Sequence, residues 1–115
     1  MTLRQRDIAL VPVPFTDLSA NKRRPVAVLS TTSHNRKSEE EVVAAVASNT
    51  AAPGRTVAIS SSDLAEGTLR PDRVVRADKL HTLSQRIVVR RYGRLTESAF
   101  QQVLGRLDQL LGRTR

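Results

Sequence analysis

The sequence has no cysteine and no tryptophan among its 115 residues. Without cysteine, disulfide scaffolds, thiolate nucleophiles and every cysteine-based metal site are excluded. No apolar run approaches the roughly 20 residues that a membrane-spanning helix needs, and the N-terminus lacks the apolar core of a signal peptide. With 39% hydrophobic residues, the chain is expected to fold as one soluble domain over residues 1–115, located in the cytoplasm.

Aromatic residues are also scarce, since only Phe15, Tyr92 and Phe100 are present. Three aromatic rings are too few for a nucleic-acid-binding surface built mainly on base stacking. Basic residues, by contrast, are abundant, because 19 Lys and Arg outnumber 11 Asp and Glu and leave a formal net charge of +8. Such a surplus favours polyanions or acidic polypeptides as partners, although it would also serve solubility alone.

Short apolar segments separated by polar stretches predict a chain rich in β-strands. In the first segment Pro12 and Pro14 each remove a backbone donor, so that strand is expected at a sheet edge or to break up near its end. The polar stretch 31–41 is expected to be a loop, with the acidic run 39–41 as its solvated end. The predicted strands cover residues 7–15, 25–30, 42–47, 56–60, 73–83 and 87–95, with loops at 16–24 and 49–55 and an irregular stretch at 60–72.

The C-terminal segment 97–111 carries its apolar side chains at helical spacing, which predicts an amphipathic helix. Thr96 is placed to cap the first turn, and Gly112 follows the last. We expect the apolar stripe of this helix to pack on the chain's own sheet. Several short strands and one terminal helix together predict a mainly β fold, a small β-barrel closed by the helix.

A catalytic metal site would need a cluster of histidines or carboxylates, and the sequence offers no clear one. The two histidines, His34 and His81, lie 47 positions apart. We therefore expect neither a metal nor a cofactor.

Four segments, VPVPFTD (11–17), KRRPVAVLS (22–30), SSSDLAEGTLRPDRVVRADKLHTL (60–83) and YGRL (92–95), resemble the MazF/PemK toxins of toxin-antitoxin systems. The resemblance implies an SH3-like β-barrel of the CcdB/PemK type with an added helix. It also implies a homodimer and a metal-independent endoribonuclease that cuts single-stranded mRNA at short sequences. Without a metal, RNA can be cut by its own 2′-hydroxyl, which requires a proton acceptor, a proton donor for the leaving oxygen and positive charge at the phosphate. A further implied partner is a cognate antitoxin whose acidic, disordered tail occupies the RNA groove; no membrane partner is implied.

Arg76 and Asp78 lie two residues apart in a predicted strand, so both side chains point to one face, roughly 6.6 Å apart along the chain. That spacing allows them to pair, although an ordinary structural ion pair would have the same pattern. The resemblance implies that both are catalytic. Because a neighbouring arginine lowers the pKa of an aspartate, Asp78 would be a weak base that chiefly orients Arg76, unless burial raises its pKa.

The resemblance also implies that Arg24, in the KRRP segment, contacts the scissile phosphate, for which its planar guanidinium is suited. Arg24 precedes a proline and is therefore biased toward extended backbone. The residues expected to bind substrate around these three are Lys22, Arg23, Ser48, Lys79 and His81.

Two positions depart from the family pattern. Many relatives end the third strand with a threonine whose hydroxyl meets the phosphate, and Ala47 stands there instead; Ser48 would point to the opposite face unless the strand bulges. Arg6 stands where relatives commonly have glycine. Because Ala47 lacks this hydroxyl, an alternative function is a catalytically impaired module that still binds RNA or antitoxin. A CcdB-like topoisomerase inhibitor ranks lower, because that branch relies on a C-terminal tryptophan-containing segment.

Overall fold

The computed structural model describes residues 2–12, 23–48, 55–69 and 71–113. These residues form seven strands, two α-helices and two short 3-10 turns, at Ser61–Asp63 and Gln85–Ile87. The strands and helices are β1 (Asp7–Val11), β2 (Arg24–Val28), α1 (Thr32–Lys37), β3 (Glu40–Ala47), β4 (Thr56–Ile59), β5 (Leu64–Glu66), β6 (Arg73–Ser84), β7 (Arg90–Leu95) and α2 (Glu97–Leu111). Neither helix is long and apolar enough to cross a membrane within this described part of the chain.

The seven strands form one curled antiparallel sheet in the order β4-β6-β3-β2-β1-β7-β5. This confirms the mainly β fold with a C-terminal helix. Strand β3 lies inside the sheet, between β6 and β2, and its residues 42–47 are apolar on both faces. The continuous apolar run in its sequence follows from that position, because a strand with both faces covered does not alternate.

Helix α2 covers one face of the sheet, as its apolar stripe predicts. Its Phe100 and Val103 are buried against Ile8, Val46 and Val75, among others, in a core that we call the helix-side core. The helix begins after Thr96, whose hydroxyl accepts a hydrogen bond from the Ala99 amide at 3.1 Å. It ends at Gly112, which adopts a left-handed φ of 75°. Both end signals in the sequence are therefore confirmed.

The opposite face of the sheet has a second apolar core, centred on Val26, Val28 and Val43. Strand β1 lies between β2 and β7, and its alternating side chains contribute to both cores. The expectation of an edge position for this strand is therefore wrong. The alternative expectation, that the strand breaks up near its end, is confirmed, since β1 ends at Val11, immediately before Pro12. Residues 13–22, and residues 49–54 of the predicted loop at 49–55, lie outside the described residues.

The stretch 31–41 is not the loop that its polar composition predicted. Thr31 caps α1 by accepting a hydrogen bond from the His34 amide, and Asn35 of the helix is buried. The Asn35 amide nitrogen donates to the Leu3 and Ser30 carbonyl oxygens. Buried hydrogen bonds, rather than a stripe of apolar side chains, therefore hold this short helix against the rest of the protein. For that reason the hydrophobic periodicity of the sequence did not predict a helix here.

The acidic run 39–41 is solvated only in part. Glu39 and Glu40 are exposed, but Glu41 is fully buried in β3. Strand alternation places Glu41 on the same face as Val43, over the second apolar core. The interpretation of the whole run as a solvated loop end is therefore wrong.

Two other predicted boundaries change. The irregular stretch at 60–72 contains β5, which pairs with β7 at the edge of the sheet. The predicted strand at 87–95 begins only at Arg90, because Gln85–Ile87 form a 3-10 turn. Arg6, where relatives commonly have glycine, has a φ of 80°. That left-handed backbone explains the preference for glycine at this position.

Candidate active site

Several basic residues of the sheet lie together at one end of the barrel. The last residues of β1 and β3 lie there beside the first residues of β2, β6 and β7. Because each of those three strands begins with an arginine, the topology brings distant parts of the sequence into one positive surface. We call this surface the arginine rim and define it by Arg23, Arg24, Arg73 and Arg90.

Arg76 and Asp78 form a bidentate pair just inside this rim. The Nε of Arg76 donates to Oδ1 of Asp78 at 3.2 Å, and an Nη of Arg76 donates to Oδ2 at 2.8 Å. The two side chains are 28% and 22% exposed, so the pair is shielded and still open to a ligand. The pairing that the two-residue spacing predicted is confirmed.

The electrostatics of the pair keep both groups charged. The hydrogen bonds from Arg76 hold the pKa of Asp78 below its ordinary value, against a smaller opposing effect of burial. The same hydrogen bonds raise the pKa of Arg76. Asp78 is therefore ionised at neutral pH and weakly basic, and its carboxylate fixes the plane of the guanidinium.

A large bulge in β6 places this pair. Ala45 of β3 lies opposite Arg76, whereas the neighbouring Ala44 lies opposite Leu80. Residues 77–79 of β6 therefore have no partner on β3, and Asp78 is at the centre of that unpaired segment. Bulges of this kind redirect side chains next to functional sites. The segment has no glycine or proline that would signal the bulge in the sequence.

Arg24 lies on the same face of the sheet as Arg76. The registers align Val26 of β2, Ala45 of β3 and Arg76 of β6 in one row across three strands. Arg24 lies two residues from Val26 on β2 and therefore shares its face. With neighbouring strands about 4.8 Å apart, the Cα atoms of Arg24 and Arg76 are separated by roughly 12 Å. Three residues from two distant segments thus face one shared surface.

A family model for the PemK-like, MazF-like toxins of type II toxin-antitoxin systems matches residues 4–111. The chain belongs to this toxin family. A search of curated proteins finds no match. Solved structures nevertheless share the fold of this MazF-like chain over nearly its whole length.

Three of those structures are bacterial. An endoribonuclease from a mycobacterial species, in complex with its cognate antitoxin, has a TM-score of 0.78 and 18% identity, covering 98% of each chain. The Mycobacterium tuberculosis toxin MazF-mt6 has a TM-score of 0.76 and 18% identity, covering 96% of this chain and 100% of its own. A MazE–MazF structure from Deinococcus radiodurans has a TM-score of 0.74 and 20% identity, covering 99% of each.

The structure brings only some of the other residues expected to bind substrate in this MazF-like chain to the face of Arg76. Arg23 is exposed immediately before β2, and Lys79 is half-buried in the β6 bulge. His81 pairs with Val43, which places it on the Arg76 face. Burial, and to a lesser degree the charge of Lys79, lowers the pKa of His81, so its imidazole is neutral at pH 7. Lys22 lies outside the described residues.

The end of β3 shows what the departure at Ala47 means for the toxin. The register of β3 with β6 is regular there, with Val46 opposite Val75 and Ala47 opposite Val74. Ala47 shares the face of Ala45 and Arg76, whereas Ser48 follows the strand and is exposed. The described residues therefore contain no bulge that would carry Ser48 to the position of the missing hydroxyl.

Proposed function

We propose that this MazF-like toxin is a metal-independent endoribonuclease that cuts single-stranded mRNA through the 2′-hydroxyl, with Arg24, Arg76 and Asp78 as its catalytic residues. The observation that carries the proposal is the bidentate Arg76–Asp78 pair on the face of the sheet that also bears Arg24. Family membership supports it, since a mycobacterial chain of the same fold is an endoribonuclease.

In this mechanism the arginines supply the positive charge that the reaction needs. The 2′-hydroxyl gives its proton to a base on this face and its oxygen attacks the phosphorus. Negative charge builds on the non-bridging oxygens, and the bond from phosphorus to the 5′-oxygen breaks as the leaving oxygen takes a proton from the Arg76 guanidinium, which solvent then restores. Arg24 binds the phosphate with its planar fork, and Arg76 stabilises the developing charge in an orientation held by Asp78. The charge of a second arginine substitutes for that of a metal ion.

Asp78 and His81 are the groups on this face that can accept the proton of the 2′-hydroxyl. Asp78 is ionised and accepts hydrogen bonds, but its lowered pKa makes it a weak base. His81 is neutral at pH 7 and serves as a secondary acceptor for the 2′-hydroxyl proton. We assign positive charge at the phosphate to Arg76 and orientation of Arg76 to Asp78.

Cleavage of an unstructured RNA in the presence of EDTA tests this function. The products should carry 2′,3′-cyclic phosphate and 5′-hydroxyl ends. Arg24→Ala, Arg76→Ala and Asp78→Ala should each lose activity while keeping the circular dichroism spectrum of the folded protein. Full activity in all three variants would remove these residues from the mechanism.

The Arg86–Glu39 pair provides a matched control for the loss of an ion pair. Its guanidinium and carboxylate lie 2.9 Å apart, and the two side chains are 80% and 75% exposed. Arg86 belongs to the 3-10 turn after β6, at the opposite end of that strand from the arginine rim. Arg86→Ala should therefore leave cleavage unchanged.

Ala47 favours a second candidate function, a binding module with little or no turnover. One missing transition-state donor costs roughly 10² to 10³ in rate. Salt-sensitive RNA binding without cleavage over long incubation would support this candidate, because phosphate contacts release counterions. Ala47→Thr should then restore cutting, whereas an active wild type that gains nothing from the substitution would reject it.

The proposed partners are a cognate antitoxin with an acidic, disordered tail and a second copy of the chain. The arginine rim and the net charge of +8 support an acidic tail as ligand. The Deinococcus relative is a MazE–MazF complex. Light scattering of the purified protein tests the homodimer. Competition between an acidic peptide and RNA tests whether tail and substrate share the surface.

A further inference from the structure

A cavity of about 110 Å³ opens at the same end of the barrel as the arginine rim, but on the helix side of the sheet. Leu10 and Pro25 form one wall as a cross-strand pair, and buried Leu69 of the helix-side core forms another. The rest of the lining is polar or aromatic: Arg23, Arg73 and Tyr92. The cavity thus combines apolar residues with two arginines and one tyrosine.

Local irregularities in β7 and β5 place the tyrosine. Ile8 pairs with Gly93 and Ala9 with Arg91, so Tyr92 between them is the extra residue of a bulge. A Cβ on Gly93 would lie 2.5 Å from the Glu66 carbonyl oxygen, and therefore only glycine allows β5 to approach so closely. On the outer side, the guanidinium of Arg90 lies 5.3 Å from the centroid of the Tyr92 ring.

The polar groups of the cavity are suited to a ligand that accepts hydrogen bonds. The Nε of Arg73 is buried and has no hydrogen-bond partner among the described residues. A guanidinium has N–H donors and no acceptor. Two arginines therefore favour a ligand edge made only of acceptors, and the neighbouring apolar and aromatic walls favour a flat ligand.

The cavity adjoins the proposed catalytic surface, because residues that line the cavity are next to Arg24 in the sequence. Arg23 and Pro25 line it, while Arg24 between them belongs to the opposite face. An RNA strand whose phosphate is bound by Arg24 can therefore reach the mouth of the cavity around this end of the sheet. A base next to that phosphate can turn into it, as single-stranded RNA readily exposes its bases.

We propose that this cavity is a base-selecting subsite that takes one keto base, guanine or uracil, of the bound RNA. On the edge that faces the major groove of a duplex, guanine and uracil present only acceptors, whereas adenine and cytosine present an amino group there that two arginines cannot satisfy. The Tyr92 ring stacks on or against the base. This inference rests on the proposed function only in taking RNA as the ligand; it does not require cleavage.

Binding to an uncleavable RNA library tests the subsite independently of catalysis. The probe is a pool of short RNA strands with 2′-methoxy groups at every sugar and randomised bases, sequenced after capture by the purified full chain. The wild type should enrich guanine or uracil over adenine at one position by about 10-fold, which is the usual effect of a good arginine–base pair. The remaining positions should show weaker preferences.

Variants assign that preference to the cavity. Arg73→Gln replaces a donor-only group with an amide that pairs well with adenine, so enrichment at that position should shift toward adenine. Arg23→Gln provides a second test if the first variant does not fold. Arg106→Gln on α2 removes the same charge outside the cavity and should keep the keto preference. Tyr92→Phe should also keep it, because the stacking ring remains.

The outcomes separate this inference from the proposed function. Loss or reversal of the preference in the cavity variants alone supports the subsite, even if no RNA is ever cut. An unchanged preference in Arg73→Gln and Arg23→Gln, or no preference in the wild type, overturns the subsite and leaves cleavage unaffected. If Arg73→Gln instead weakens only the binding of a glutamate decapeptide, the cavity is a carboxylate site and the inference is wrong.

Discussion

Replacing Glu41 with glutamine tests the energetic cost of the buried carboxyl in β3. Glu41 is fully buried over the second apolar core, and neither of its carboxyl oxygens has a hydrogen-bond partner among the described residues. Burial raises its pKa from 4.5 to about 7, against a smaller opposing effect of its own backbone N–H and with a still smaller further rise from the charge of Glu40. The folded protein therefore holds this proton more tightly than the unfolded chain does.

The sign of the pH dependence follows from that difference. The stability due to this proton is fully present below pH 4.5 and is lost as the pH rises through about 7. A difference of this size corresponds to about 3 kcal/mol between pH 4 and pH 8. Glu41→Gln has no proton to lose, so it should match the wild type at low pH and exceed its free energy of unfolding by about 3 kcal/mol at pH 8.

Urea unfolding of both proteins at several pH values between 4 and 8 measures this difference. Subtracting the two curves cancels the contribution of other titrating groups to the pH dependence. One such group is Asp78, whose lowered pKa makes stability rise with pH. Glu40→Gln removes the same charge from an exposed position one residue away and should change the pH profile little. A wild-type curve that stays parallel to the Glu41→Gln curve would refute the reasoning.

Three further predictions concern packing and the helix ends, each measured by urea unfolding. Gly93→Ala should destabilise by about 1–3 kcal/mol, because its Cβ would lie 2.5 Å from the Glu66 carbonyl oxygen; Gly105→Ala, with no atom within 4 Å of its Cβ, should stabilise by about 0.5–1 kcal/mol. Equal effects of the two alanines would contradict the close approach. Thr96→Ala should cost about 1 kcal/mol through loss of the cap, while Thr96→Ser should cost little. Phe100→Ala should cost about 3–5 kcal/mol, since the ring is 2% exposed; a loss below 1 kcal/mol would mean that α2 does not anchor the helix-side core.

Prediction from the sequence succeeded where the signal is local. The α2 helix is fixed by side chains three and four residues apart and by caps at its two ends, so its bounds can be read from about 16 consecutive residues. The Arg76–Asp78 pair is equally local, because two residues on one strand share a face whatever the partner strands are. Both features are confirmed in the structure.

Prediction failed where a residue's environment is set by distant segments. Nothing within 39–41 distinguishes Glu41 from its neighbours, and its burial results from the second apolar core that other strands complete. The polar helix α1 is stabilised by the buried amide of Asn35, which donates to Leu3 far away in the sequence. Strand β1 lies inside the sheet only because β7 returns to pair with it.

The sequence by itself determined a basic, cysteine-free chain of short strands with one amphipathic helix, and an arginine paired with an aspartate on one strand. The tertiary structure decided that Arg24 shares their face and that Arg23, Arg73 and Tyr92 meet at one cavity. The physical reason is strand register: a shift by one residue turns a side chain to the other face, and register depends on pairing between segments far apart in the chain.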